Sequence, residues 1–186
     1  MLYLNQLDIF KEKFMKVMVI SDIHGNIVYL NRALERYKEE DAEKLLILGD
    51  FGGYVHSSSD YEVAEELNNM AGAIIAVKGN CDSEYIDDIF NFSLTYMRTI
   101  EINNKKVTLT HGHIYGPYNL PSDCGDIFLF GHTHRGMIEK LGEKIIANPG
   151  SISKPRGGTK HSYLIIDEEQ IQLKDLQGEI IKTLKI

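Results

Sequence analysis

The sequence predicts an α/β protein in which two β-sheets pack face to face with helices on the outside. Three observations carry that reading. The N-terminal half alternates short apolar, β-branched runs with stretches of helical periodicity. The C-terminal half is a succession of strand-like runs joined by tight turns. A chain of 186 residues with 43% hydrophobic content has the length and composition of one globular domain with a sizeable core.

Residues 16–21 (KVMVIS) form a short apolar run rich in β-branched residues and read as a buried strand. Residues 26–39 read as a helix, because Ile27, Leu30, Leu34 and Tyr37 recur at three- and four-residue steps and Asn26 supplies a capping side chain. A strand over 44–48, a helix over 60–70 with Val63, Leu67 and Met70 on one face, and a strand over 73–77 complete a βαβαβ pattern. That pattern implies a parallel sheet with right-handed crossovers. Thereafter 97–102, 105–110, 127–130, 137–141, 144–147, 161–167, 170–176 and 180–184 read as strands. The pairs Asn103-Asn104, Gly142-Glu143, Glu168-Glu169 and Gln177-Gly178 are turn sequences that predict hairpins.

The formal charge is −7. An acidic balance argues against a broad basic footprint of the kind that tracks nucleic-acid backbones. Two cysteines are too few for a disulfide framework, and the first residues lack the apolar stretch of a signal peptide, so a cytoplasmic location is expected. No apolar run approaches the length of a membrane helix. The first strand starts directly after Met15, so residues 1–14 read as a short extension and Met15 as the candidate start of a single domain over 15–186.

Histidine placement is the sharpest signal. Five of the seven histidines fall in three tight motifs, at His24, at His111 and His113, and at His132 and His134. Five apolar runs also end alike: VMVIS leads into Asp22-Ile23-His24, LLILG into Asp50, IIAVKG into Asn80, VTLT into His111, and IFLFG into His132-Thr133-His134. Each run delivers a ligand-capable residue just past the carboxyl end of a strand, where open α/β sheets bind ligands. One Asp or Asn there is an ordinary turn residue. Five together are not, since histidine is a poor turn former. Carboxylate, imidazole and amide oxygen suit Mn²⁺, Fe²⁺, Co²⁺, Ni²⁺ or Zn²⁺, and the scarcity of cysteine argues against a thiolate zinc site.

Taken together, DIHGN (22–26), GD (49–50), GNCD (79–82), THGH (110–113), GHTH (131–134) and NPGS (148–151) resemble the calcineurin-like metallophosphoesterase superfamily. Within it they are most similar to the small bacterial and archaeal phosphodiesterases of the YfcE/MJ0936 type. The resemblance spans about Met15 to Asp167. It implies a four-layer α/β/β/α sandwich of two mixed sheets. It also implies a centre of two divalent ions, Mn²⁺ first among them. Asp22, His24 and His134 would hold one ion, Asn80, His111 and His132 the other, and Asp50 would bridge them. The implied reaction is phosphodiester hydrolysis by a hydroxide held between the ions, acting on a small substrate. Small relatives often self-associate, so a homo-oligomer is expected.

Cys81 departs from the broader superfamily, many members of which carry histidine there as the proton donor to the leaving group. A thiol is a weaker acid catalyst at neutral pH than an imidazolium. Cys81 stands either as that donor or as a small filler of the pocket wall, and His113 as a support of the centre. Weaker candidates are Tyr54 and His56 in the loop after Asp50, and Arg156 as a phosphate contact. Asp82 is expected either to hydrogen-bond a ligating histidine or to cap the segment that follows it. The NPGS motif is expected to shape the loop beside the metals, Cys124 to be structural, and His161 carries no assignment. The alternatives are a phosphomonoesterase or nucleotidase of the same fold, and a non-catalytic scaffold like the retromer subunit. Retention of both Asp50 and Asn80 favours the enzyme.

Overall fold

The computed structural model describes residues 14–53 and 57–186. Tyr54, His56 and the expected extension up to residue 13 lie outside the described residues.

The three N-terminal strands form as expected: β1 (Val17–Ile20), β2 (Lys44–Ile47) and β3 (Ile74–Val77), linked by α1 (Ile27–Glu39) and α2 (Ser58–Asn68). They pair in parallel, with Val17 opposite Lys44 and Leu45 opposite Ile74. β1 is apolar throughout because both of its faces are covered. Met18 and Ile20 pack with Leu30 and Leu34 of α1 and Val63 and Leu67 of α2, whereas Val17 and Val19 join the core between the sheets. The Asn26 side chain accepts the Tyr29 amide at 3.2 Å, as its capping role requires. α2 starts two residues before the apolar periodicity does, because Asp60 reaches back to accept the Ser57 amide at 3.0 Å.

A two-residue strand, β4 (Leu94–Thr95), was not legible in the sequence. It adds in parallel to β3, after the one-turn helix α3 (Ile86–Ile89). The rest of the chain gives β5 (Met97–Ile102), β6 (Lys105–Thr110), β7 (Ile127–Leu129), β8 (Met137–Leu141), β9 (Lys144–Asn148), β10 (Ser162–Ile166), β11 (Gln170–Asp175) and β12 (Ile180–Lys185). All four expected hairpins are present, β5–β6, β8–β9, β10–β11 and β11–β12. One sheet has the order β12-β11-β10-β1-β2-β3-β4 and the other β5-β6-β7-β9-β8.

Both sheets are mixed. In the second, β6, β7 and β9 run parallel, so β8 is passed over and lies at the edge. Burial explains the order: β7 is buried at every residue, whereas the distal half of β8 is exposed. Leu46, Leu48 and Val77 of the first sheet meet Val107, Leu109 and Leu129 of the second in the central core. The outer face of the second sheet carries Phe128, Phe130 and Ile146. Cys124, Tyr115 and Leu120 from the segment between β6 and β7 cover it, so Cys124 is structural. No helix among the described residues is long and apolar enough to cross a membrane.

Candidate metal centre

β1, β2 and β3 are parallel, so Asp22, Asp50 and Asn80 emerge at one edge of the first sheet. β6 and β7 deliver His111 and then His132 and His134 to the facing edge of the second. The two edges meet. Asp22, His24, Asp50 and His134 present ligand atoms that all lie within 4.8 Å of one another. Beside them, His111 Nε2 lies 3.1 Å from Asn80 Oδ1 and 3.3 Å from Asp50 Oδ1. The His132 ring stands edge-on to His111 with centroids 5.2 Å apart. All seven expected ligand positions therefore converge.

The backbone at these positions is unusual. Asp22, His24, Asp50, His132 and His134 have φ between 50° and 64°, in the left-handed region that side chains with a Cβ avoid. Asp41, Asn103 and Asn104 share it, but these are turn residues of types that tolerate it. Strained backbone concentrates where surrounding bonds hold it, and it turns these side chains sharply out of their strands. Two glycines allow the loops to close up. A Cβ on Gly79 would sit 2.1 Å from Asp50 Oδ1, and one on Gly131 would sit 2.0 Å from Ser21 Oγ.

Hydrogen bonds fix the ring orientations. His111 Nδ1 lies 2.6 Å from the Leu48 carbonyl, and His134 Nδ1 lies 2.6 Å from the Lys154 carbonyl. A carbonyl only accepts, so each Nδ1 carries a proton and each ring turns its Nε2 into the centre. His132 and His24 are held through their backbones, His132 N donating to Asp22 Oδ2 at 3.2 Å and His24 N to the Asp50 carbonyl at 2.9 Å.

Burial alone would raise the Asp50 pKa, but His111 and the Cys81 amide hold it well below the usual carboxylate range. Burial lowers the pKa of His24 and outweighs the pull of Asp50 and Asp22. It likewise lowers His113 and His132, helped by the neighbouring His111. At His111 and His134 burial is outweighed by Asp50 and Asp22 respectively, and both are raised.

The donor set fits divalent metal. Asp22 is fully buried, and its Oδ1 makes no hydrogen bond among the described residues. That oxygen lies 3.2 Å from His134 Nε2, out of hydrogen-bond alignment, and 3.9 Å from His24 Nε2. A buried carboxylate oxygen that makes no hydrogen bond, with imidazole nitrogens on either side of it, is a fitting seat for a cation.

Several supports were missed or half-seen in the sequence. Asp82 neither bonds a ligating histidine nor caps the segment after it. Its carboxylate accepts the backbone amides of Asp50 at 2.7 Å, Phe51 at 2.8 Å, Gly52 at 3.4 Å and Gly79 at 2.8 Å. Burial and the Asp50 charge push its pKa up to about 6, against the amides. The NPGS motif does shape the centre. Asn148 Nδ2 donates to the Gly131 carbonyl at 2.7 Å, and the Ser151 and Ser153 hydroxyls both donate to the Asp22 carbonyl, at 2.8 and 2.9 Å. Cys81 is buried. Its amide donates to Asp50 Oδ1 at 2.9 Å, and its sulfur takes the Asn80 side-chain amide at 3.6 Å. The Arg156 side chain is exposed beside His134, and His161 stacks on Tyr29 away from the centre.

A two-sheet sandwich that gathers carboxylate, imidazole and amide ligands at its joined edges is the architecture of a metal-dependent phosphoesterase. The model of the calcineurin-like phosphoesterase superfamily domain matches residues 15–170, and the chain belongs to that superfamily. It is 37% identical over 175 residues to the phosphodiesterase YfcE of Escherichia coli strain K12, covering 90% of this chain and 95% of that protein. It is 28% identical to the phosphodiesterase MJ0936 of Methanocaldococcus jannaschii, covering 73% of this chain and 83% of that one. The solved structure of YfcE, a phosphoesterase from E. coli, superposes with a TM-score of 0.86 at 36% identity over 92% of this chain and all of that one. Vacuolar protein sorting 29 from Cryptosporidium parvum shares the fold, with a TM-score of 0.67 at 22% identity over 94% and 99% of the two chains.

Proposed function

We propose that this chain is a phosphodiesterase with a centre of two divalent ions, Mn²⁺ in the cell. Asp22, His24, Asp50 and His134 hold one ion, and Asp50, Asn80, His111 and His132 hold the other. The observation that carries this reading is the position of Asp50. Its Oδ1 faces His111 Nε2 at 3.3 Å and its Oδ2 faces His24 Nε2 at 3.7 Å, so each oxygen belongs to a different donor group.

Such ions supply Lewis-acid polarisation of a phosphoryl oxygen and a water of lowered pKa. The side chains supply the rest. Asp50 sets the spacing of the two donor groups. His111 and His134 present Nε2 atoms already aimed by their carbonyl bonds, so little reorganisation of the rings would accompany binding. Asn80 offers its Oδ1 toward His111, held that way by the bond from its amide to Cys81. Cys81 is the candidate donor of a proton to the leaving oxygen. His113, whose ring lies 5.4 Å from that of His111, supports that side of the centre.

The domain spans 15–186, works in the cytoplasm and assembles with copies of itself. Its substrate is small, because the chain is acidic, with a net charge of −7, and two bound ions would place positive charge locally at the centre.

The test is metal content together with Mn²⁺-dependent hydrolysis of bis(4-nitrophenyl) phosphate and 4-nitrophenyl phosphate. The expected result is bound metal, faster hydrolysis of the diester, loss of activity with chelator, and a fall on the order of 100-fold or more in Asp50→Asn. No bound metal, or equal rates in Asp50→Asn and wild type, overturns the reading.

A further inference from the structure

Asp60, in the first turn of α2, is buried, and its Oδ1 makes no hydrogen bond among the described residues. Burying a carboxylate is costly, and the bond it makes to the Ser57 amide would form equally well at the surface. Its surroundings are the loops that bear the candidate ligands. Oδ2 accepts the Tyr85 hydroxyl, which comes from the segment that follows Asn80, Cys81 and Asp82. Burial and the Asp60 carboxylate raise the Tyr85 pKa, so that hydroxyl keeps the proton it donates. Oδ1 faces two glycines. A Cβ on Gly52 would sit 2.8 Å from it, and one on Gly25 would sit 3.3 Å from it. Gly25 directly follows His24, and Gly52 lies two residues after Asp50. These two loops are also bonded to each other, His24 N donating to the Asp50 carbonyl at 2.9 Å and Gly25 N to the Phe51 carbonyl at 2.7 Å. Gly52 is held from two sides, its amide donating to Asp82 Oδ1 at 3.4 Å and its Cα facing Asp60. One carboxylate therefore meets the loops that follow β1, β2 and β3.

We propose that Asp60 is a positioning residue of the metal centre, setting how closely the His24 and Asp50 loops approach and, through Tyr85, holding the Asn80 loop to them. The proposal rests on the two-ion reading and adds to it a residue outside the donor set. Asp60 acts by contact. Its carboxylate fills the space that Gly25 and Gly52 leave, so removing it lets both loops relax, and a side chain on Gly52 drives the Asp50 loop away from it.

The test is calorimetric titration of the metal-free protein with Mn²⁺, with urea unfolding of the same samples and electron paramagnetic resonance of the loaded ones. Asp60→Ala is expected to bind Mn²⁺ roughly tenfold more weakly or worse, the scale of residues that orient metal ligands. Its spectrum is expected to be that of isolated ions, where wild type gives that of a coupled pair. A purely structural role would lower the urea midpoint and leave the spectrum of the folded, loaded protein unchanged. Gly52→Ala is expected to weaken binding too, because the added methyl meets the Asp60 carboxylate. Combined with Asp60→Ala it is expected to bind no more weakly than Asp60→Ala alone, since the group it meets is gone. Wild-type affinity and spectrum in Asp60→Ala, or additive losses in the double variant, overturn the proposal. If Asp60→Ala does not fold, Gly52→Ala decides, and wild-type affinity and spectrum there overturn it. Failure of the parent reading looks different, because wild type itself then takes up fewer than two ions.

Discussion

Asp82 Oδ2 accepts the backbone amide of Asp50 at 2.7 Å and that of Gly79 at 2.8 Å, and so ties together the loops that follow β2 and β3. Its Oδ1 takes Phe51 and Gly52 in the same way. Asp82→Ala leaves several buried amides without a partner and is expected to cost about 3 kcal/mol. Asp82→Asn is not conservative here, because its amide group would face two donors and keep only half of the acceptor pattern. Both variants are expected to unfold at lower urea and to purify with less metal. Wild-type stability and metal content in Asp82→Ala would show that the carboxylate is not needed.

The Asp22 carbonyl takes two hydroxyls, from Ser151 and Ser153. Either serine alone keeps it satisfied, so Ser153→Ala is expected to cost only about 0.5–1 kcal/mol, whereas Ser151→Ala is expected to cost about 2 kcal/mol because the Ser151 hydroxyl also accepts the Ser153 and Lys154 amides at 3.2 and 2.8 Å. The double variant orphans a buried carbonyl at a residue with left-handed backbone and is expected to lose more than the sum, by about 1 kcal/mol or more. A double-mutant cycle by denaturant unfolding measures the excess, and simple additivity would contradict the shared-acceptor account.

Cys81 lies where an imidazole would be the stronger proton donor at neutral pH. Cys81→His is expected to shift the preference toward monoesters, read as kcat/KM for 4-nitrophenyl phosphate relative to bis(4-nitrophenyl) phosphate. An unchanged ratio leaves Cys81 as the filler of the pocket wall and the fixed partner of Asn80.

Away from the centre, buried Asp175 accepts Lys160 Nζ at 2.6 Å and the amides of Gln177 and Glu179 at 3.1 and 3.0 Å. Burial alone would raise its pKa, but the ion pair and the amides lower it below the ordinary value. A depressed carboxylate pKa stabilises the fold above the unfolded value, about 3.9 for Asp, and that stability is lost as the pH falls through the folded pKa. The stability advantage of wild type over Asp175→Asn is therefore expected to be full near neutrality and to shrink below about pH 4. Urea unfolding at several pH values checks this, and a pH-independent difference would remove the ion from the account.

Much of this protein was legible along the chain. Local periodicity marked β1, α1 and β2, because alternation and the three-to-four-residue step follow from backbone geometry alone. Turn pairs such as Asn103-Asn104 marked the hairpins for the same reason. The residue types after each strand also marked the candidate centre, since histidine and aspartate carry their chemistry in the side chain. Tertiary structure decided the rest. The parallel neighbours β6, β7 and β9 depend on which strand is buried on both faces, and the two-residue β4 has no periodicity to read. Asp82 and the two serines act on main-chain atoms of residues 30 to 131 positions away. Every residue carries those atoms, so no local pattern names the partner. Only when the sheets close does Asp50 come to stand between His24 and His111, with five of the candidate ligand positions in left-handed backbone.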